Sequence, residues 1–284
     1  MSIESGVSTE SVAAVPQARV AAGLNRASEL QHAGRFDEAL AELETALATA
    51  RATPYEIEFQ TRIRLGMTLS DVYLELDRIQ DARALLGDEA AFAERISQIM
   101  QATGTLDQKR AATSGYLQVR DRAAQVGLIG EPAPEISVKD WIIGEPVALA
   151  DLKGRVVLLE FWATWCKPCQ EMFPKLNSLH DSQAANGLEV IAITRHYLAY
   201  GGTAEAMNEE LELIRSTVAK HGVKFRVGVA ADERLQAVYG ANGLPTAVLI
   251  DHRGIVCYAG PGAEDKAFNI ALQECLDGMA GKAI

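Results

Sequence analysis

Val156, Val157, Leu158, Leu159 and Phe161 form a short apolar run rich in β-branched residues, a pattern that belongs to a strand buried on both faces of a sheet. A strand of that kind needs covering layers above and below it, and the residues around it supply them. After an extended lead-in, the pattern predicts strands over 155–161, 188–194, 225–230, 246–250 and 255–260, and helices over 168–185, 204–221, 232–239 and 264–278. Strands alternating with helices in this order imply an α/β domain of three layers.

The run ends in Trp162-Ala163-Thr164-Trp165-Cys166-Lys167-Pro168-Cys169, which sets two cysteines where the strand gives way to a helix. At or just before the first helical turn, Cys166 meets unpaired backbone N–H groups and the positive end of the helix dipole, and both stabilise a thiolate. Lys167 adds a neighbouring positive charge. Cys166 is therefore the candidate nucleophile. Cys169, one turn on, is placed to attack a mixed disulfide formed on Cys166.

Trp165-Cys166-x-Pro168-Cys169 after an apolar strand resembles the active site of the thioredoxin superfamily, and three further features agree. Glu160 stands six residues before Cys166, where thioredoxins carry a buried acid. Pro174 stands five residues after Cys169, where they kink the active-site helix. Gly243-Leu244-Pro245-Thr246 resembles their cis-proline loop. Ile129-Gly130-Glu131-Pro132-Ala133-Pro134 and Val147 to Arg155 narrow the resemblance to TlpA/ResA-like redoxin domains, covering about residues 129–284. The resemblance implies a thioredoxin fold, with a mixed central sheet and helices on both faces. It also implies thiol–disulfide exchange by Cys166 and Cys169 on protein disulfide or dithiol substrates, with a redox partner and no cofactor. Glu160 would handle the proton of Cys169, while Trp165, Lys167, Pro168, Leu244 and Pro245 would meet substrate. One departure stands out: Met172 holds the place, three residues after the second cysteine, where that family usually has glutamate.

Two other chemistries compete for the cysteines. Half of a zinc site would require further ligands, and the remaining candidates, Cys257, Cys275 and five histidines, are scattered through the chain. A peroxidase of the related redoxin type would want threonine three residues before its reactive cysteine, and Ala163 holds that position. Glu160 has a plainer reading as a carboxylate reaching solvent from a strand end. If it is buried, its pKa rises and it can accept a proton. Cys257, in a strand-like run, and Cys275, on the apolar face of a helix with Phe268, Ala271 and Leu272, read as small buried residues.

With 284 residues the chain has room for two cores. Its net charge of −11 is divided about evenly between residues 1–126 and the remainder, and neither part has the basic patch that nucleic acid would require. No stretch approaches the roughly 18 consecutive apolar residues of a membrane span. Residues 1–16 read as a flexible tail without the basic start or apolar core of a signal peptide, which favours the cytoplasm. TlpA/ResA-like proteins are typically exported or tethered, so a removed leader is the alternative.

Residues 17–126 form a different kind of object, rich in Ala, Leu, Glu, Gln and Arg, with Pro54 as the interior proline. Ala27, Leu30, Gly34, Phe36, Ala39, Leu40, Leu43, Ala46 and Leu47 resemble a tetratricopeptide helix pair, and Ser70, Tyr73, Ile79, Ala82 and Leu86 repeat the pattern 43 positions later. That period exceeds the usual figure of about 34. Ala91 to Met100 and Ala111 to Val126 read as further helices. The expectation is a separate all-α helical-repeat domain, offering a surface to a protein or peptide partner or simply forming a bundle. Gly127 to Pro134 marks the boundary with residues 127–284. A helical-repeat adaptor with a secondary redox domain is the reading from another functional class.

Overall fold

A computed structural model describes residues 9–199, 201–264 and 266–280. The chain divides into two compact units, Met1–Ala123 and Ala124–Ile284, the division falling inside a helix.

The first unit is helical: α1 (Thr9–His32), α2 (Phe36–Ala52), α3 (Phe59–Glu75), α4 (Ile79–Thr103) and the start of α5 (Leu106–Leu128). α1 and α2 pack against each other, as do α3 and α4. Ala27, Ala39, Leu43 and Ala46 are buried in the first hairpin, and Ser70, Tyr73, Ala82 and Leu86 in the second. The 43-residue repeat also extends to the turns. Gly34 and Asp77 both take a left-handed conformation, with φ of 72° and 57°. The following arginines repeat their bonds as well: Arg35 N–H donates to Leu30 O at 2.9 Å, and Arg78 N–H to Tyr73 O at 2.7 Å. Each arginine then pairs with an acid three residues on, Glu38 or Asp81.

Two boundaries differ from those the sequence suggested. α1 begins at Thr9, so residues 9–16 are helical and not tail; residues 1–8 lie outside the described residues. Ala91 to Met100 is the continuation of α4, because the good helix formers on either side carry the helix through Gly87, beside which there is open space. α4 also holds the buried Glu89, whose carboxylate accepts from Arg62 Nε at 2.7 Å and Nη2 at 3.2 Å. The Arg62 guanidinium lies 3.5 Å from the centre of the Phe92 ring.

The second unit is built on six strands, β1 (Val138–Ile143), β2 (Val156–Phe161), β3 (Leu188–Thr194), β4 (Arg226–Ala230), β5 (Thr246–Ile250) and β6 (Val256–Gly260), in the spatial order β1-β4-β3-β2-β5-β6. β2, β3 and β4 are parallel, and β1, β5 and β6 run antiparallel to their neighbours. β1 is the strand the sequence showed only as an extended lead-in. Alternation along β2 divides its side chains between two layers. Val156 and Leu158 join a core with α6 (Lys167–Gln183), α7 (Ala204–Lys220) and α9 (Lys266–Ala280). Val157, Leu159 and Phe161 face the opposite layer with α8 (Arg234–Tyr239). Every residue of β2 is buried, as its near-continuous apolar run requires. The mixed sheet with helices on both faces is a thioredoxin fold.

Candidate active site

β2 ends at Phe161, and Trp162 N–H still donates to Ile193 O at 3.0 Å, so the chain leaves the sheet under control. The turn that follows is closed by Cys166 N–H donating to Ala163 O at 3.1 Å. Cys166 is the N-cap of α6, and its sulfur accepts from Cys169 N–H at 3.3 Å, taking up one of the donors that a helix start leaves unpaired. Pro168 stands in the first turn, where the missing N–H costs nothing. Cys166 and Cys169 are joined by a disulfide with 5.3 Å between their Cα atoms; Cys166 is 4% exposed and Cys169 fully buried.

The cis bond between Leu244 and Pro245 lies directly before β5. β5 pairs Thr246 with Phe161, which sets Pro245 beside the end of β2 from which the cysteine turn departs. Gly262 closes in from the end of β6: a Cβ there would lie 3.3 Å from both Pro245 Cγ and Met172 Cε, and its φ of +71° suits glycine. Leu244, Met172, Cys166 and Cys169 thus border one apolar cluster.

Glu160 shares the face of Val156 and Leu158, the face that α6 covers. It is fully buried between Ala192 of β3 and Ala247 of β5, and neither carboxyl oxygen has a hydrogen-bond partner. Burial pushes its pKa well above the ordinary carboxylate range; the Glu264 charge adds to that, and Lys175 on α6 opposes it.

The remaining residues singled out by sequence are exposed. Trp165 is 57% exposed, and its ring meets Tyr197 edge-on at 5.5 Å. Pro168 is exposed, and Lys167 extends into solvent 3.6 Å from Glu171, so its charge is shared with an acid one turn on. Among the described residues no three metal-ligating side chains gather at the cysteines or elsewhere.

One contributor escaped the sequence reading. Glu210, buried in α7, accepts from the backbone N–H groups of Tyr197 at 2.9 Å, Leu198 at 3.0 Å and Ala199 at 2.9 Å, and lies 3.2 Å from His196 Nδ1. Burial alone would raise its pKa; the three backbone donors and His196 overcome that and lower it. The loop at Tyr197 is held down by this carboxylate and leans on Trp165. Tyr200 of that loop lies outside the described residues. An acid in an acidic helix gives no sign in the sequence that a loop more than ten positions earlier will fold over it.

A disulfide-bonded Cys-x-x-Cys at the start of a helix, beside a cis-proline and at the end of the central strand of a mixed sheet, defines a protein of the thioredoxin-fold dithiol class. Residues 129–259 match the AhpC/TSA family. The thiol-disulfide oxidoreductase ResA of Bacillus thuringiensis strain Al Hakam is 35% identical over 129 residues, 45% of this chain and 66% of its own length. ResA of Bacillus thuringiensis subsp. konkukian is 32% identical over 139 residues, 49% of this chain and 72% of its own length. The crystal structure of a thioredoxin family thiol:disulfide interchange protein from Chlorobium tepidum TLS aligns at 27% identity and a TM-score of 0.41, covering 51% of this chain and 95% of that one. The chain belongs to the family of ResA-like thiol-disulfide oxidoreductases. The match spans 66% of the length of the first of these relatives, and residues 1–128 lie before the family match. No helix among the described residues is long and apolar enough to cross a membrane.

Proposed function

We propose that the chain is a thiol–disulfide oxidoreductase acting on protein substrates in the reducing direction. The observation that carries this reading is Cys166, a slightly exposed sulfur at the N-cap of α6, bonded to a fully buried Cys169. In the reduced protein the helix start favours the Cys166 thiolate. That thiolate attacks one sulfur of a substrate disulfide, forms a mixed disulfide and expels the other substrate sulfur as a thiolate. Cys169 then gives its proton to the Glu160 carboxylate and attacks Cys166 Sγ, which releases the second substrate sulfur and regenerates the Cys166–Cys169 disulfide. A dithiol redox partner restores the reduced pair. Glu160 suits the proton step because burial without a partner makes its carboxylate a stronger base. Leu244 and Pro245 offer a backbone edge to an extended substrate, with Trp165 and Pro168 forming the exposed rim and Lys167 adding charge.

Residues 17–126 are the proposed partner-binding unit. A cleft of about 280 Å³ there is lined by Arg51, Tyr55, Arg62, Phe92, Arg95 and Ile99, with Arg51 paired to Asp88 and Glu89 and Arg62 to Glu89.

Insulin reduction by the full chain, Cys166→Ser and Cys169→Ser tests the reading. Turnover should vanish in both variants, with a mixed disulfide trapped on Cys166 in Cys169→Ser. Unchanged turnover in either variant would refute it, and peroxide consumption surviving in Cys169→Ser would point instead to a peroxidase. Capture of a partner by the full chain but not by an Arg51→Glu, Arg95→Glu variant checks the helical unit.

A further inference from the structure

The two cysteines outside the active site lie on β6 and α9, the edge strand of the sheet and the helix packed against it. In a regular strand Cys257 and Tyr258 would face opposite sides of the sheet. β6 is not regular at this point. β5 pairs Leu249 with Tyr258 and Ile250 with Val256, so Cys257 is the extra residue of a bulge. Val256 accordingly packs with the layer of α8, while Cys257 and Tyr258 both pack with the core that contains Cys275. On α9, Phe268 and Cys275 are seven positions apart and share one face, and Phe268 meets the Tyr258 ring edge-on at 5.5 Å. The Cys257 thiol donates to Leu249 O at 3.4 Å.

We infer that Cys257 and Cys275 form a second dithiol–disulfide pair, separate from Cys166–Cys169, whose oxidation staples α9 to the edge strand β6. The two thiols interact directly. Their contact lowers the pKa of Cys275 and, together with burial, raises that of Cys257, so Cys275 is the first of the two to ionise. The oxidant required is a small disulfide, R–S–S–R. The Cys275 thiolate attacks it, forming a Cys275–S–S–R bond and expelling one R–S⁻. Cys257 then loses its proton and attacks Cys275 Sγ, forming the Cys257–Cys275 bond and expelling the second R–S⁻. Two cysteines are oxidised and R–S–S–R is reduced to two R–SH; the proton that Cys275 released on ionising and the proton of Cys257 reach the two leaving sulfurs through solvent.

The experiment uses the full chain carrying Cys166→Ser and Cys169→Ser, so that its outcome is independent of the proposed oxidoreductase activity. One sample is treated folded with oxidised glutathione; a second is refolded from the reduced, denatured state in a glutathione redox buffer. Both are then alkylated and peptide-mapped. The expected result is a linked peptide containing Cys257 and Cys275, loss of both alkylatable thiols, and a rise in Tm that dithiothreitol reverses. Adding Cys275→Ser should leave a single glutathione adduct on Cys257. The inference is overturned if both thiols stay alkylatable after both treatments, if they carry separate adducts, or if the linked peptide arises only in material that no longer melts cooperatively.

Discussion

Replacing Glu160 by glutamine tests the claim that the site buries an acid of raised pKa at the expense of stability. The substitution keeps the shape of a fully buried side chain and removes its ability to ionise. In the unfolded chain a glutamic acid releases its proton near pH 4.3; in the folded protein burial without a partner holds the proton to higher pH. Over that interval the native state binds more protons than the unfolded state, so the wild type loses stability as pH rises, whereas Glu160→Gln lacks this component. The limiting slope is about 1.4 kcal/mol per pH unit, so from pH 5 upward the variant should gain on the wild type by no more than that per unit, until the raised native pKa is passed. Urea denaturation of both proteins at pH 5, 6 and 7, with Cys166–Cys169 oxidised so that no active-site thiol titrates, gives the difference directly. Parallel stability curves would refute the argument. The same variant should release trapped mixed disulfides more slowly near neutral pH, since Cys169 loses its proton acceptor.

Glu210→Gln keeps one acceptor oxygen for the four donors that the carboxylate now serves, at a cost of about 2–3 kcal/mol; hydrogen exchange at the Tyr197, Leu198 and Ala199 amides should accelerate. Because the native pKa of Glu210 is lowered, its contribution is present above about pH 4.3 and should fade as pH falls through the native value, which an acid titration of the same amides would follow. Gly262→Ala should cost about 1–2 kcal/mol at a φ of +71° and raise KM for a disulfide substrate, since the new methyl pushes on Pro245 and Met172. In the helical unit, Asp77→Gly relieves a left-handed residue and should raise Tm, by about 0.5–1 kcal/mol of added stability. Glu89→Ala strands the buried Arg62 and should cost about 3–5 kcal/mol, read in urea denaturation of the full chain.

The sheet was legible wherever burial on both faces left an uninterrupted apolar run, as in Val156–Phe161 and Leu188–Thr194, whose limits the pattern gives almost residue by residue. β1 was not legible. As an edge strand paired only with β4, it is half-buried, carries Lys139 and Asp140, and breaks register twice, so neither alternation nor a run survives. The cysteines and Pro245 were readable because local backbone rules tie helix starts and X-Pro bonds to particular residues. Glu210 and the Cys257–Cys275 contact depend on a loop folding back and on a bulge, and neither leaves a periodic trace. The repeat in the helical unit was visible because each copy sets small residues at the same crossing; the conformation Asp77 shares with Gly34 was hidden by the change of residue type.

The pairing of β2 with β5 also sets an order of events during synthesis. Residues 157 and 250 are register partners, so the strand that delivers the cysteines acquires its second neighbour only after some 90 further residues exist. Until then Cys166 and Cys169 lack Pro245 opposite them, and the strand that carries Glu160 is open on one side. The site is therefore complete only once the residues of β5 have been made and paired with β2.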